Sequence, residues 1–138
     1  MAITHKYTLL CDDIRQENNG KFLILGLYTP DIVVPIVPFA MPGISFFSLV
    51  EADAIGPVDL SFRLTQGETI ISGGSGKMAV AKTGTTAIPL KLGGLVFPTA
   101  GRYRFVLDIE GSGEVIHEFS VVLSLPGLGQ PAPPRGVH

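Results

Sequence analysis

Between Thr99 and Leu123 the chain alternates apolar and polar residues almost without a break. Tyr103, Phe105, Leu107 and Ile109 fall on one side, and Arg102, Arg104, Asp108 and Glu110 on the other. Successive side chains of a strand point to opposite faces. The pattern therefore specifies a strand with one face on a core and one in water. Gly111-Ser112-Gly113 turns the chain into Glu114–Leu123, which alternates again. Two such strands joined by a short glycine turn form an antiparallel hairpin.

The same reading extends along the chain. Tyr7–Ile14 predicts a first strand, and Arg15–Gly20 is a polar turn closed by Asn19-Gly20, a strong hairpin signal. Lys21–Thr29 reads as a second strand, whose run Phe22–Tyr28 is apolar on both faces and so predicts a central place, with Gly26 marking a bulge or a close backbone approach. Thr29–Gly43 carries Pro30, Pro35, Pro38 and Pro42 among valines and isoleucines. Proline lacks the donor a central strand needs, so this segment reads as an edge or crossover, covered by the domain or by a second chain. Ile44–Ala52, Val58–Thr65, Thr69–Ser72, Lys77–Lys82 and Thr86–Leu92 read as further strands, with Gly73–Gly76 as a hairpin turn. No stretch has the apolar spacing of a helix. The fold expected is all-β: a single antiparallel immunoglobulin-like β-sandwich of seven to nine strands over residues 1–125, with almost no helix. A Pro/Gly-rich flexible tail is expected over residues 126–138.

Hydrophobic residues make up 46% of the 138 and charged residues 16%, below the usual quarter or so. Either some surface meets a partner or several strands are buried on both faces. The ten Lys and Arg residues are scattered and the net charge is −2, which argues against nucleic acid. Cys11 is the one cysteine, so no intrachain disulfide can form. Met1–Lys6 lacks the pattern of a signal peptide, and no apolar run approaches the ~20 residues a membrane-spanning helix needs. A cytoplasmic protein with no membrane contact is expected.

The chemistry-bearing residues are few. Ser72-Gly73-Gly74-Ser75-Gly76-Lys77 resembles a phosphate loop but has Ile71 and Met78 where glycine and a hydroxyl are required. Cys11 has carboxylate neighbours, Asp12 and Asp13, which raise a thiol pKa where catalysis needs it lowered. It reads as a small buried residue, with Asp12 and Asp13 in a turn beside Arg15 and Glu17. A calcium site would need carboxylates from several loops, and Asp12, Asp13, Asp31, Glu51 and Asp53 could supply them. Asp12, Asp13 and Asp53 are the candidates for a metal or small-ligand site at the loop end, although no Asp-x-Asp-x-Asp repeat accompanies them. His5, His117 and His138 lack metal-ligand spacing, and His117 falls on the core side of its strand. Gly101-x-Tyr103-x-Phe105 is similar to the tyrosine corner of immunoglobulin-like sandwiches. Tyr103, Gly101 and the turn residue Gly20 are therefore read as structural. No catalytic or cofactor-binding residue is assigned.

Cys11-Asp12-Asp13-Ile14-Arg15-Gln16-Glu17-Asn18-Asn19-Gly20-Lys21 and Leu25-Gly26-Leu27-Tyr28 resemble a bacterial family of uncharacterised proteins, a domain of unknown function. Its members open with Cys-Asp-x-x-Arg-x-Glu-x-x-Gly-Lys and close with Pro-x-x-Gly-x-Tyr-x-Phe, here Pro98–Phe105. The resemblance runs from about Tyr7 to Leu123. It implies a single β domain and supplies no catalytic residues.

The function expected is a non-enzymatic protein-interaction module, binding a protein partner or itself through Thr29–Gly43 or the C-terminal tail. The alternatives are a structural subunit of a larger assembly, such as a phage or other particle, and a metal- or small-ligand-binding sandwich.

Overall fold

The computed structural model describes residues 2–124, so the expected tail lies outside the described residues. Nine strands are present and no helix among the described residues: β1 (Ile3–Gln16), β2 (Phe22–Leu27), β3 (Ile32–Val34), β4 (Phe39–Ala52), β5 (Gly56–Gln66), β6 (Thr69–Val80), β7 (Gly84–Phe97), β8 (Gly101–Ile109) and β9 (Gly113–Leu123). They form a four-stranded sheet in the order β2-β1-β4-β7 and a five-stranded sheet in the order β3-β9-β8-β5-β6.

Alternation places one face of each sheet on a shared core. Leu10, Ile44, Phe46, Val50, Ile88 and Phe97 come from the first sheet, and Leu64, Tyr103, Phe105, Leu107, Phe119 and Val121 from the second. Aromatic rings bridge the two. Phe46 stacks on Phe105 with centroids 3.8 Å apart, and Phe97 meets Tyr103 edge-on at 5.1 Å. Packing of this kind contributes about 0.5–1.5 kcal/mol per ring pair beyond the area it buries.

The first sheet also buries part of its outer face. Phe47 follows Phe46 in β4 and so points the other way, where it packs with Cys11 and Ile14. The β1–β2 hairpin covers this second cluster with Phe22 and Ile24, and Phe22 meets Phe47 edge-on at 5.3 Å.

Four sequence expectations are corrected. β2 is an edge strand, not a central one. Its apolar residues divide between the two faces: Phe22 and Ile24 cover the outer cluster, while Leu23, Leu25 and Leu27 are exposed. Secondly, the pairing is not wholly antiparallel, since β3 runs parallel to β9. The Pro-rich segment carries the chain from the edge of one sheet to the edge of the other, where Ile32–Val34 runs in the same direction as β9. Thirdly, β4 begins at Phe39, so the end of the Pro-rich segment is strand, paired from Phe39↔Phe97 onward. Finally, Gly73–Gly76 is no turn. β6 runs unbroken beside β5 from Thr69 to Val80. None of its glycines has a positive φ; Gly74 leaves room for the Phe62 ring, while the space beside Gly76 is open.

Candidate functional site

The Cys11-Asp12-Asp13 cluster sits where β1 pairs with the end of β2. Alternation sets Asp12 on the face opposite Cys11 and Asp13. Cys11 is fully buried, with its thiol directed at the carbonyls of Asp13 (3.5 Å) and Ser45 (3.6 Å). Burial pushes its pKa up, and the charges of Asp12 and Asp13 push it further. A thiol held protonated in this way is a poor nucleophile.

Asp12 accepts a hydrogen bond from the Tyr28 hydroxyl. Burial, then the bond to Asp12, raises the Tyr28 pKa well above its ordinary value. The Asp12 carboxyl occupies the space beside Gly26: a Cβ there would lie 2.8 Å from Asp12 Cγ. Gly26 also has φ +68, a left-handed conformation that side chains disfavour. Asp12, Gly26 and Tyr28 thus form one interlocked unit across the hairpin. Both segments of the N-terminal motif meet here, in a lock on the fold.

The remaining acidic candidates are dispersed. Asp13 receives the Ile14 amide at 2.9 Å, Arg15 at 3.2 Å and Lys91 at 3.3 Å. The Arg15 bond and then the Ile14 amide hold its pKa below the ordinary carboxylate value. Asp53 receives the Ala2 amide at 2.7 Å. β1 separates Ala2 from Asp12 by roughly 30 Å at about 3.3 Å per residue, so Asp53 and Asp12 share no site. Glu51 pairs with Lys6 at 3.4 Å, and Asp31 lies beside Arg102 and Glu118. Among the described residues no group of three or more His, Cys, Asp or Glu could hold a metal ion.

His117 is half-buried and meets Phe46 edge-on with centroids 6.2 Å apart. Burial, then the charge of His5, lowers its pKa below 6.5. Tyr103 is buried, and its hydroxyl donates to the Thr99 carbonyl at 2.5 Å. Gly101 opens the same strand with φ +128, and Gly20 closes the β1–β2 turn with φ +88.

Three surface features were not singled out from the sequence. The edge strand β2 exposes Leu23, Leu25 and Leu27 at 43%, 40% and 50%. The next segment adds exposed Val33 and Ile36, while Ile32 and Val34 anchor it in the core. On the outer face of the five-stranded sheet a cavity of about 610 Å³ is lined by Arg63, Arg102, Arg104 and Glu118. Its charges are matched: Arg102 and Arg104 both bond Glu118, and Arg63 bonds Glu114. Between β6 and β7 an apolar cleft of about 390 Å³ opens into the seam between the sheets. The signal for this cleft is present in the sequence, as glycine at alternate positions 74 and 76.

No helix is long and apolar enough to cross a membrane among the described residues. No curated protein matches the chain. Among solved structures the chain is similar to the crystal structure of a β-glucosidase from Listeria innocua in complex with glucose, at 10% identity and TM-score 0.42. That likeness covers 69% of this chain and 15% of the glucosidase chain. Residues 6–122 match a family of unknown function, DUF6941, and the chain belongs to that family.

Proposed function

We propose that this chain is a non-enzymatic protein-interaction module built on an immunoglobulin-like sandwich. The strand order supports the architecture. Taking β1, β4 and β7 as strands A, B and E, and β5, β6, β8 and β9 as C, C′, F and G, gives A-B-E facing C′-C-F-G. The Tyr103 hydroxyl reaching back to Thr99 has the geometry of a tyrosine corner near the start of strand F. The β1–β2 hairpin is an addition beside strand A, and the place of strand D beside β7 holds no strand among the described residues.

The observation that carries the functional reading is the leucine row of β2. Natural sheets guard their edges with proline, lysine, bulges or short strands. β7 carries Pro89 and Lys91, and β3 is three residues long. β2 has no proline or lysine and exposes three leucines, and the segment that follows it in the chain exposes Val33 and Ile36. Such an edge is a template for association. The buried thiol and the separated carboxylates favour contact over catalysis. The surface serves a protein partner or a second copy in the cytoplasm.

The test is site-specific photocrosslinking in the native host, with a photoreactive residue replacing Leu25 in the full chain and Glu68 as the control position. Discrete protein adducts at position 25 and none at 68 are expected. No adduct at 25, or the same adducts at both positions, overturns the reading.

A further inference from the structure

The seam between the sheets is open on the side away from β2, where β6 and β7 form its two rims. Among the described residues β6 pairs with β5 alone and β7 with β4 alone. The register sets Gly74 opposite Phe62 and Gly76 opposite Leu60. Directly opposed residues of an antiparallel pair share a face, and Leu60 and Phe62 pack against the core. Gly74 and Gly76 therefore occupy inward positions of β6. Two successive inward positions thus lack a side chain.

Only Ala81–Thr83 separate β6 from β7, so the rims are tied together at Val80 and Gly84. The cleft of about 390 Å³ lies farther along, with Leu60, Phe62, Met78, Ile88, Leu90 and Leu107 in its walls. Ile88 and Leu107 belong to the buried core. A Cβ on Gly74 would strike the Phe62 ring at 2.9 Å, while one on Gly76 would meet nothing within 4 Å. The Phe62 ring thus fills the place beside Gly74, and the place beside Gly76 is open. Lys77 is the one charged residue among those that line the cleft, and it is drawn outward onto Asp59 at 3.5 Å. The interior is apolar and uncharged.

The shape of the opening follows from the two glycines. The missing layer is one side chain thick, about half of the ~10 Å between packed sheets. The Phe62 ring beside Gly74 and the Met78 side chain bound it along β6, and Gly74 and Met78 are roughly 13 Å apart at about 3.3 Å per residue. A slot so thin excludes a cage-like skeleton, and one so short excludes a long acyl chain. A flat system of one or two fused rings suits it. Phe62 and the Met78 thioether then both meet a ring, and both contacts are favourable. The rims oppose an added strand: β7 carries Pro89, which lacks the donor a ladder needs, and β6 carries Lys77. Such residues guard natural sheet edges, which favours an occupant that needs no backbone ladder.

We propose that this cleft binds a small neutral molecule with a flat aromatic skeleton of one or two rings. The ring enters between the glycine backbone of β6 and the side chains of Ile88 and Leu90, the concave and largely apolar setting in which small molecules are bound. The site uses no residue of the β2 row and goes beyond contact with a protein partner.

The test is an NMR titration of the isotopically labelled full chain with naphthol, with decanol and adamantanol as the long and the bulky neutral comparators. Naphthol should shift the Gly76 amide and the Met78 and Ile88 methyl signals. It should bind about tenfold or more tightly than either comparator, the discrimination a shaped apolar pocket gives. Gly76→Leu fills the slot and should abolish these shifts. Gly76 has no positive φ and open space beside it, so the chain accommodates the leucine, and the amide spectrum of the variant reports its fold. The comparison among ligands is made on the wild-type chain and stands whether or not the variant folds. No shifts with naphthol, equal binding of decanol or adamantanol, or unchanged shifts in a folded Gly76→Leu chain overturn the proposal. Tighter binding of N-acetyltryptophanamide than of naphthol also overturns it and assigns the cleft to a side chain of a partner protein. Crosslinks at position 25 read the β2 surface separately, so either reading survives the failure of the other.

Discussion

Gly26→Ala is the sharpest perturbation of the N-terminal hairpin. At φ +68 a side chain costs about 1–2 kcal/mol relative to glycine. The new methyl also falls on the Asp12 carboxyl, which must swing aside and release the Tyr28 hydroxyl. Loss of that hydrogen bond adds about 1 kcal/mol at a partly exposed site. The sum is about 2–3 kcal/mol, read by urea denaturation as a lower midpoint with an unchanged slope. The Tyr28→Phe background separates the two contributions. There Asp12 has no hydroxyl to lose, so Gly26→Ala should cost only the backbone part, and the double mutant should be about 1 kcal/mol less destabilised than the sum of the singles. A loss below about 1 kcal/mol in the wild-type background, or the same loss in both backgrounds, would refute the interlock.

Three further outcomes follow from single residues. Tyr103→Phe should lower stability by about 1 kcal/mol or more, because it leaves the Thr99 carbonyl without its donor; an unchanged melting temperature rejects the corner. His117 titrates below 6.5 in the folded chain, so below pH 6.5 the unfolded state binds the extra proton and stability falls until the folded pKa is passed. His117→Gln should remove that slope in chemical denaturation between neutral pH and pH 5, and a slope that survives assigns it to another group. Cys11 should react with an aromatic disulfide reagent only as fast as the chain opens, so rapid labelling of the native protein would contradict its burial and raised pKa.

Much of the architecture was legible because period-2 alternation is local. Tyr103, Phe105, Leu107 and Ile109 announced β8 and its core face, and Asn19-Gly20 announced the first hairpin. Gly26 was readable as a close approach, although its neighbour, Asp12, was not. What escaped depended on information outside any one segment. The apolar faces of β2 look the same in sequence whether the strand is central or at an edge; only the path of Thr29–Val34 to the other sheet decides. Gly73–Gly76 reads as a turn because glycine is the commonest turn residue, yet its register beside Phe62 makes it strand. The acidic candidates could be grouped on paper because sequence carries no distances, and β1 holds Asp12 and Asp53 at opposite ends. The leucine row was hidden by the same ambiguity that misplaced β2.

If the β2 side is covered by a partner in the cell, a thiol placed on it is protected there. With Cys11→Ser removing the native thiol, Leu25→Cys provides one reporter on the row and Glu68→Cys a second on an exposed turn. Maleimide labelling rates are compared between dilute purified chain and native extract. Position 25 should label roughly tenfold or more slowly in extract, as occlusion by a well-populated partner requires, while position 68 is unchanged. Equal rates at position 25 in both conditions would contradict it.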